Sequence, residues 1–184
     1  TTASISAIIE GDPGMSATIM KLTNSAYFSL PTRMTSIRKA VQFLGLETIR
    51  SLVGVAGFFS LANVRSETAS QIQGISEESM MIATLAKKIA LSENLDLLEV
   101  EQAFCGGLLS QLGRVLFLLD TSDEVKEYLK RLQVDSTTIL EAEKMLFGTS
   151  HCEVGAYLLG LWGFADLIVE TVLHQHDPSK LGTK

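Results

Sequence analysis

Cysteine is scarce in this sequence, and a disulfide framework is therefore not indicated. The 184 residues include only Cys105 and Cys152, and neither belongs to a Cys-x-x-Cys pair. Small secreted domains usually depend on several disulfides, whereas cytosolic proteins keep their thiols reduced. We therefore predict two buried, reduced thiols and a cytoplasmic protein.

Long apolar runs are also lacking. The longest mostly apolar segment, residues 51–62, is interrupted by two glycines, so no stretch is expected to span a membrane. A signal peptide is also not expected, since residues at the start of the sequence do not show that pattern. The first residue is not Met, and Ile5, Ile8 and Ile9 already follow a helical rhythm, so we expect a fragment of a longer protein.

The sequence also lacks a cluster of positive charges. Fifteen basic residues stand against 21 acidic ones, a net charge of -6, and the lysines and arginines form no dense run. A nucleic-acid partner is not expected, because binding to phosphates needs such a patch. Hydrophobic residues make up 46% of the chain, which is enough for one domain or two small lobes.

The patterning that remains is helical, with no sustained period-2 alternation, so the prediction is an all-α fold. Asp12 is a good N-cap and Pro13 suits the first helical position. Thr35 or Ser36 begins another helix, which Gly45 ends.

A polar segment divides the predicted helices into two groups. Residues 46–61 are apolar on several sides, which predicts a deeply buried helix. Residues 63–75 predict a linker, with 63–74 as a candidate hinge. Ser76 then caps a helix with an apolar stripe at Ile82, Leu85, Ala86 and Ile89.

Five further helices are predicted in the C-terminal part. One carries a single apolar face made of Phe104, Leu108, Leu112, Val115, Leu116 and Leu119. Residues 121–124 and 150–153 each form a capping box, which predicts a helix start. Gly148 ends a helix predicted over 135–147, and the last helix is predicted from about Ala165 to His174.

Two segments carry a family resemblance. Residues 12–30 read DPGMSATIMKLTNSAYFSL and residues 40–52 read AVQFLGLETIRSL. Together they resemble the opening of the HDOD domain, a bacterial signalling module related to the HD metal phosphohydrolases. The resemblance covers residues 8–178. It implies an N-terminal helical bundle (1–62) and, after the linker, a degenerate HD-like bundle (76–184) packed against it.

The resemblance locates the positions of the former metal site. The stretch 104–113 is similar to one that reads Gly-Leu-Leu-His-Asp-Ile-Gly in HD phosphohydrolases, where the His-Asp pair binds metal. Here Ser110 and Gln111 occupy those places. A hydroxyl and an amide are weak, uncharged ligands, so no metal and no catalytic residue are predicted.

Glu78 and His151 are two other positions of this vestigial site. Glu78 replaces an upstream His, and we interpret it as a first-turn acid that complements a helix dipole. His151 lies near a positive helix end, which favours a neutral ring. It is interpreted as a structural His that bonds backbone groups between the lobes; a contact in a pocket for an anion or nucleotide remains open.

The segment 174–178 resembles the His-His-x-Pro end of the family, with Gln175 in place of one His. His174 and His176 do not share a helical face, but they and Asp177 could converge on an ion if the helix ends there. Helix caps are the preferred interpretation. Cys152 follows His151 directly, and adjacent helical side chains diverge by about 100°, so they are not interpreted as a nucleophile and base.

The remaining signature positions are interpreted as structural. Asn24, with its neighbours in the Asn-Ser-Ala-Tyr turn, is expected to bond backbone groups at a helix end. Trp162 is expected to anchor the core between the last two helices, and the paired glycines at 106–107 to allow close helix packing. These positions are Asp12, Pro13, Asn24, Ser25, Tyr27, Gly45, Gly107, Gly113, Gly155 and Trp162.

The predicted function is a non-catalytic signalling or scaffold domain without cofactor. Its partner is expected to be a protein or an attached sensor or receiver domain, rather than nucleic acid or membrane. One alternative is a degenerate pocket that binds a nucleotide or cyclic dinucleotide without turnover. A metal-dependent phosphohydrolase ranks last. The oligomeric state stays open.

Overall fold

The computed structural model describes residues 2–11, 13–24, 34–61, 66–119, 123–134 and 138–181. Within these ranges the chain is helical and contains no strand, which confirms the all-α prediction. The described helices are α1 (Thr2–Glu10), α2 (Pro13–Thr23), α3 (Ile37–Leu44), α4 (Leu46–Leu61), α5 (Ser66–Ser92), α6 (Leu97–Leu109), α7 (Leu112–Leu119), α8 (Asp123–Val134), α9 (Ile139–Phe147), α10 (His151–Leu161), α11 (Asp166–Leu173) and a 3-10 turn, Pro178–Lys180.

The chain divides into two compact units. The first consists of Thr1–Asn63 with Met80–Leu108, and the second of Val64–Ser79 with Leu109–Lys184. Residues 80–108 therefore group with the N-terminal helices, although the sequence division assigned them to the second bundle.

The first unit is built on contacts among α1 to α4, in which α1 meets α2 and α3 while α4 meets α2 and α3. Ile9, Ile19 and Ile49 are almost completely buried at the centre. The Ser36 hydroxyl accepts a hydrogen bond from Lys39 N and caps α3. Gly45 ends this helix with φ of 79°, a backbone angle that suits glycine. The predicted limits of α3 are confirmed.

Asn24 fixes the backbone after α2. Its Nδ2 donates to the carbonyls of Met20 and Met34, both at 3.0 Å, and its Oδ1 accepts from Met34 N at 2.7 Å. The expected bonding to backbone is confirmed for Asn24. Pro13 is the first residue of α2, as predicted. Asp12, Ser25 and Tyr27 lie outside the described residues.

The predicted linker is largely helical. Residues 66–75 form the beginning of α5, and Ser76 lies inside that helix, so the predicted helix start at Ser76 is wrong. Ile72 and Ile75 are buried, whereas Gly74 faces open space. The polar composition of this segment reflects the exposed face of an amphipathic helix, which short-range polarity alone does not distinguish from a loop.

In the second unit α10 packs on α7 and α11, and α8 packs on α9. Phe117 stacks on Phe147 at 4.4 Å between ring centroids, and Tyr128 meets Phe147 edge-on at 5.5 Å. Phe117 and Tyr128 are buried and Phe147 is half-buried, and aromatic clusters of this kind stabilise helix contacts.

Two helix starts and one helix end in this unit follow from cap chemistry. The capping box of Ser150 and Glu153 begins α10, and Gly148, at φ of 70°, ends α9; both were predicted. The predicted start of α9 at residue 135 is wrong, because a second capping box, Thr138 with Glu141, begins the helix at Ile139. The proposed box at 121–124 lies partly outside the described residues.

Trp162 is not the predicted core anchor. It ends α10 and the residue is 37% exposed, whereas Phe164, two residues later, is buried. The turn after α10 therefore directs the phenyl ring inward and leaves the indole at the surface.

The apolar face predicted as one helix over residues 104–119 is divided by a turn at Ser110 and Gln111 into α6 and α7.

Contrary to the expectation from sequence, Leu97–Leu119 is long and apolar enough to qualify as a membrane span by length and composition, the one such span among the described residues. However, 67% of its most apolar window is buried within the protein, as in a core helix.

Glycines permit close contacts between helices. A Cβ at Gly107 would lie 2.7 Å from the Ala83 Cα, which confirms close packing of α6 on α5. A Cβ at Gly113 would lie 2.0 Å from the His151 carbonyl oxygen, and Gly155 faces the Gly113 backbone. The crossing of α7 and α10 therefore requires glycine at position 113.

Gly113→Ala and Gly74→Ala should change stability in opposite directions. At Gly113 the methyl group meets rigid backbone, and overpacking of this kind costs about 1–3 kcal/mol or more. At Gly74 the methyl group meets nothing within 4 Å, so alanine should stabilise the helix by about 0.5–1 kcal/mol. Urea unfolding of both variants measures this. Destabilisation by Gly74→Ala would contradict the helical assignment of residues 66–75.

Candidate functional site

A buried ion pair between Glu143 and His151 forms the centre of the candidate site. Glu143 on α9 is 0% exposed and His151, the first residue of α10, is 1% exposed. His151 Nδ1 donates to Glu143 Oε2 at 2.7 Å, and the His151 backbone N–H donates to the same oxygen at 2.8 Å. Tyr128 donates its hydroxyl to Glu143 Oε1 at 2.8 Å. Three donors thus satisfy a carboxylate that would otherwise be costly to bury.

The charge state of His151 differs from the sequence-based prediction. Burial disfavours a charged ring, but the hydrogen bonds to Cys152 and to the Glu143 carboxylate outweigh burial and raise the pKa of His151 to about 9. The predicted neutral ring is therefore wrong. The helix dipole disfavours a charged ring, but the Glu143 carboxylate at 2.7 Å exerts the stronger field. The expected bonding of the ring to backbone is also replaced by this carboxylate.

His176 and Cys152 meet the other side of the same ring. His151 Nε2 lies 3.3 Å from His176 Nε2 and 3.5 Å from Cys152 Sγ. His176 is exposed as a whole. The partial burial of its ring, together with the neighbouring His151 charge, lowers the pKa of His176. Although Cys152 and His151 are adjacent in sequence, the structure does bring their reactive atoms together.

Gln175 is held in place by backbone carbonyls. Its Nε2 donates to Ser110 O at 2.9 Å and to Val172 O at 3.1 Å, and it lies 3.4 Å from Cys152 Sγ. The amide therefore presents nitrogen, a donor without a lone pair for metal, toward this cluster. Ser110 enters the site through its main-chain oxygen.

A second polar cluster surrounds Arg114 on α7. Its Nη1 donates to Glu78 Oε2 and to Gln111 Oε1, both at 3.1 Å. Glu78 lies in the middle of α5, so its interpretation as a first-turn acid is wrong. Burial and the Glu143 carboxylate raise the pKa of Tyr128, against the opposing effect of Arg114. Tyr128 is therefore the link between the two clusters.

Asp177 does not join either cluster. Its carboxylate accepts from Ser179 Oγ at 2.5 Å and pairs with Lys180 Nζ at 3.1 Å. The helix α11 ends at Leu173, and His174 forms its C-cap. The expected cap role is confirmed for His174, whereas convergence of Asp177 with His176 on one ion has no support from these contacts.

Sequence reasoning missed Glu143, Arg114 and Tyr128. Glu143 and its neighbour Ala142 are both buried on α9. An acidic residue within the short, mostly apolar sequence of this helix was the available signal for a buried carboxylate. Residues of this kind are rarely buried unless paired. Nothing local links Arg114 to Glu78, which lies 36 positions earlier.

A family model for the HDOD domain matches residues 1–178. The chain belongs to the HDOD family. The positions named from the resemblance are therefore positions of an HDOD domain, and their contacts are those described above.

Solved structures show the same fold. An HDOD domain protein of unknown function from Geobacter sulfurreducens is 27% identical with a TM-score of 0.73, and covers 100% of this chain and 60% of its own. A protein from Shewanella amazonensis SB2B described as a candidate phosphohydrolase is 23% identical with a TM-score of 0.72, over 97% of this chain and 62% of its own. The HDOD chain spans about three fifths of both.

The chain also matches only part of the length of a curated relative. An uncharacterized protein from Treponema pallidum (strain Nichols) is 24% identical over 176 residues. The match covers 94% of the HDOD chain but only 33% of the relative.

The HDOD residues do not fit the metal centre of the HD phosphohydrolases. Ser110 and Gln111 provide no anionic or imidazole ligand at the place of the His-Asp pair. The carboxylate of Glu78 and the amide oxygen of Gln111 are both engaged by a guanidinium. A permanent positive charge is therefore already paired with the Glu78 carboxylate.

Glu143→Gln should destabilise the HDOD domain by about 3 kcal/mol, because it removes one partner of a buried ion pair. Urea unfolding at neutral pH measures the loss. Glu141→Gln on the same helix is the matched control, since glutamine preserves a capping box. An equal effect of both variants would contradict the central role of the Glu143–His151 pair.

Proposed function

We propose that this HDOD domain is a non-catalytic signalling domain that acts through contacts with a protein partner or with an attached sensor or receiver domain. The observation that carries the proposal is the position of Arg114. Its guanidinium lies 3.1 Å from both Glu78 and Gln111, two of the positions that correspond to metal ligands in the related phosphohydrolases.

Electrostatics explain why this arrangement argues against turnover. Hydrolysis in the HD enzymes depends on metal ions that polarise phosphate and activate water. A divalent ion at Glu78 would have to displace Arg114 or remain beside a cation that never deprotonates. Ser110 and Gln111 would offer such an ion no negative charge.

The descriptions of the structural neighbours name two different roles, signal transduction and phosphate hydrolysis. A protein from Marinobacter aquaeolei VT8, with a TM-score of 0.68 and 18% identity, is described as a candidate signal transduction protein, whereas the Shewanella protein is described as a candidate phosphohydrolase. The charges at the former metal site favour the first role for this chain. Bacterial relatives and two free, buried cysteines support a bacterial cytoplasmic setting.

A degenerate nucleotide pocket is the second candidate, and one cavity favours it. A volume of about 300 Å³ is lined by residues that include Gln71, Glu78, Arg114 and Tyr128. This is at the lower end of the range for ligand sites. The pairing of Arg114 with Glu78 reduces its attraction for a phosphate, so the pocket ranks second.

The purified chain should not hydrolyse bis-p-nitrophenyl phosphate or cyclic diguanylate above a metal-only blank when Mn²⁺, Fe²⁺ or Mg²⁺ is added. Its thermal midpoint should also not change with cyclic diguanylate. A bound nucleotide at 100 times its dissociation constant would stabilise the fold by about 2.7 kcal/mol.

Two glutamates provide the control. Glu78→Gln alters the former metal site, whereas Glu77→Gln changes an exposed neighbour. Metal-dependent turnover that disappears in Glu78→Gln and persists in Glu77→Gln would overturn the non-catalytic proposal. Stabilisation by the nucleotide without product would replace it with the pocket.

A further inference from the structure

We propose that His151, Cys152 and His176 form a mononuclear site for a thiophilic metal ion of the zinc class. The three ligand atoms lie within 4.8 Å of one another. The inference goes beyond the proposed function, because it concerns one ion at a thiol and two imidazoles rather than the lost His-Asp pair.

The distances match tetrahedral coordination. Zinc binds imidazole nitrogen at about 2.0–2.1 Å and thiolate sulfur at about 2.3 Å. Tetrahedral angles then place two nitrogens about 3.3 Å apart and nitrogen and sulfur about 3.5 Å apart. The structure has 3.3 Å between the two Nε2 atoms and 3.5 Å from His151 Nε2 to Cys152 Sγ. Two edges of the coordination polyhedron are therefore already formed.

The third edge depends on the ligand with the most freedom. His176 lies on the turn after α11 and is exposed, so its ring can adjust toward Cys152 without disturbing the core. The same exposure gives an ion a route into the site. His151 and Cys152 are fixed and buried at the start of α10.

Outer contacts orient these ligands as in known metal sites. Metal-binding histidines usually donate their other ring N–H to a carboxylate, and His151 Nδ1 donates to buried Glu143. The ion would replace the proton on Nε2 while this bond remains. The Gln175 amide lies 3.4 Å from Cys152 Sγ and can donate to a thiolate.

Ligand type selects the metal. Thiolate and imidazole suit zinc and copper(I), whereas magnesium and manganese prefer oxygen. Three protein ligands leave a fourth position open to water or to another ligand. Asp177 does not fill it, because its carboxylate is bonded to Ser179 and Lys180.

Cobalt(II) titration of the reduced, tag-free chain tests the site, because tetrahedral cobalt with a thiolate ligand gives intense visible bands and a sulfur charge-transfer band. We expect one equivalent to bind and zinc to displace it. Cys152→Ser should remove the charge-transfer band, and His176→Ala should weaken binding at least ~10-fold, in line with the loss caused by even an outer-shell change.

Matched controls come from the only other cysteine and from a neighbouring histidine. Cys105→Ser removes a thiol whose pKa burial raises to about 12, and His174→Ala removes a ring two positions from His176. Both should bind cobalt like the unmodified chain. Zinc should also raise the thermal midpoint of the unmodified chain but not that of His176→Ala. Because His176 is exposed, this variant should fold normally, and the comparison reports metal binding.

Three outcomes would overturn the inference. These are the absence of cobalt binding, a charge-transfer band that survives in Cys152→Ser, and loss of the band in His174→Ala or Cys105→Ser. Phosphodiester hydrolysis by the zinc-loaded chain would instead contradict the non-catalytic proposal and leave the metal site intact, so the two failures are distinguishable.

Discussion

The second unit depends on one constraint, the burial of the Glu143 carboxylate. A charge removed from water must be paired and fully hydrogen-bonded. Glu143 achieves this with the Tyr128 hydroxyl, the His151 ring and the His151 backbone N–H. These donors come from α8 and from the first turn of α10, so the carboxylate fixes three helices relative to one another.

The two ends of this polar network differ in accessibility and charge. At one end Arg114 provides a permanent cation that pairs with the Glu78 carboxylate and donates to the Gln111 amide oxygen. At the other end His176 is exposed beside His151 and Cys152. The network thus holds a guanidinium–carboxylate pair, Arg114 with Glu78, at one end and a thiol beside two imidazoles at the other.

Local chemistry made several helix limits predictable. Ser36, Gly45, Gly148 and the box of Ser150 with Glu153 act through contacts within four residues, so short-range patterns reveal them. The interpretation of residues 66–75 as a linker failed because an exposed helical face has the composition of a loop. Trp162 failed as a core anchor because the turn that carries it buries Phe164 instead.

The sequence by itself determined the all-α class and the HDOD family, and its resemblance to the HD phosphohydrolases predicts Ser110 and Gln111 at the place of the His-Asp pair. Tertiary structure alone decided the charge of His151 and the role of Glu78. Their partners, Glu143 and Arg114, lie 8 and 36 positions away, and neither partner follows from helical spacing. Long-range pairing sets the electrostatics of a buried group because the field of a neighbouring charge outweighs local helix dipoles within a few ångströms.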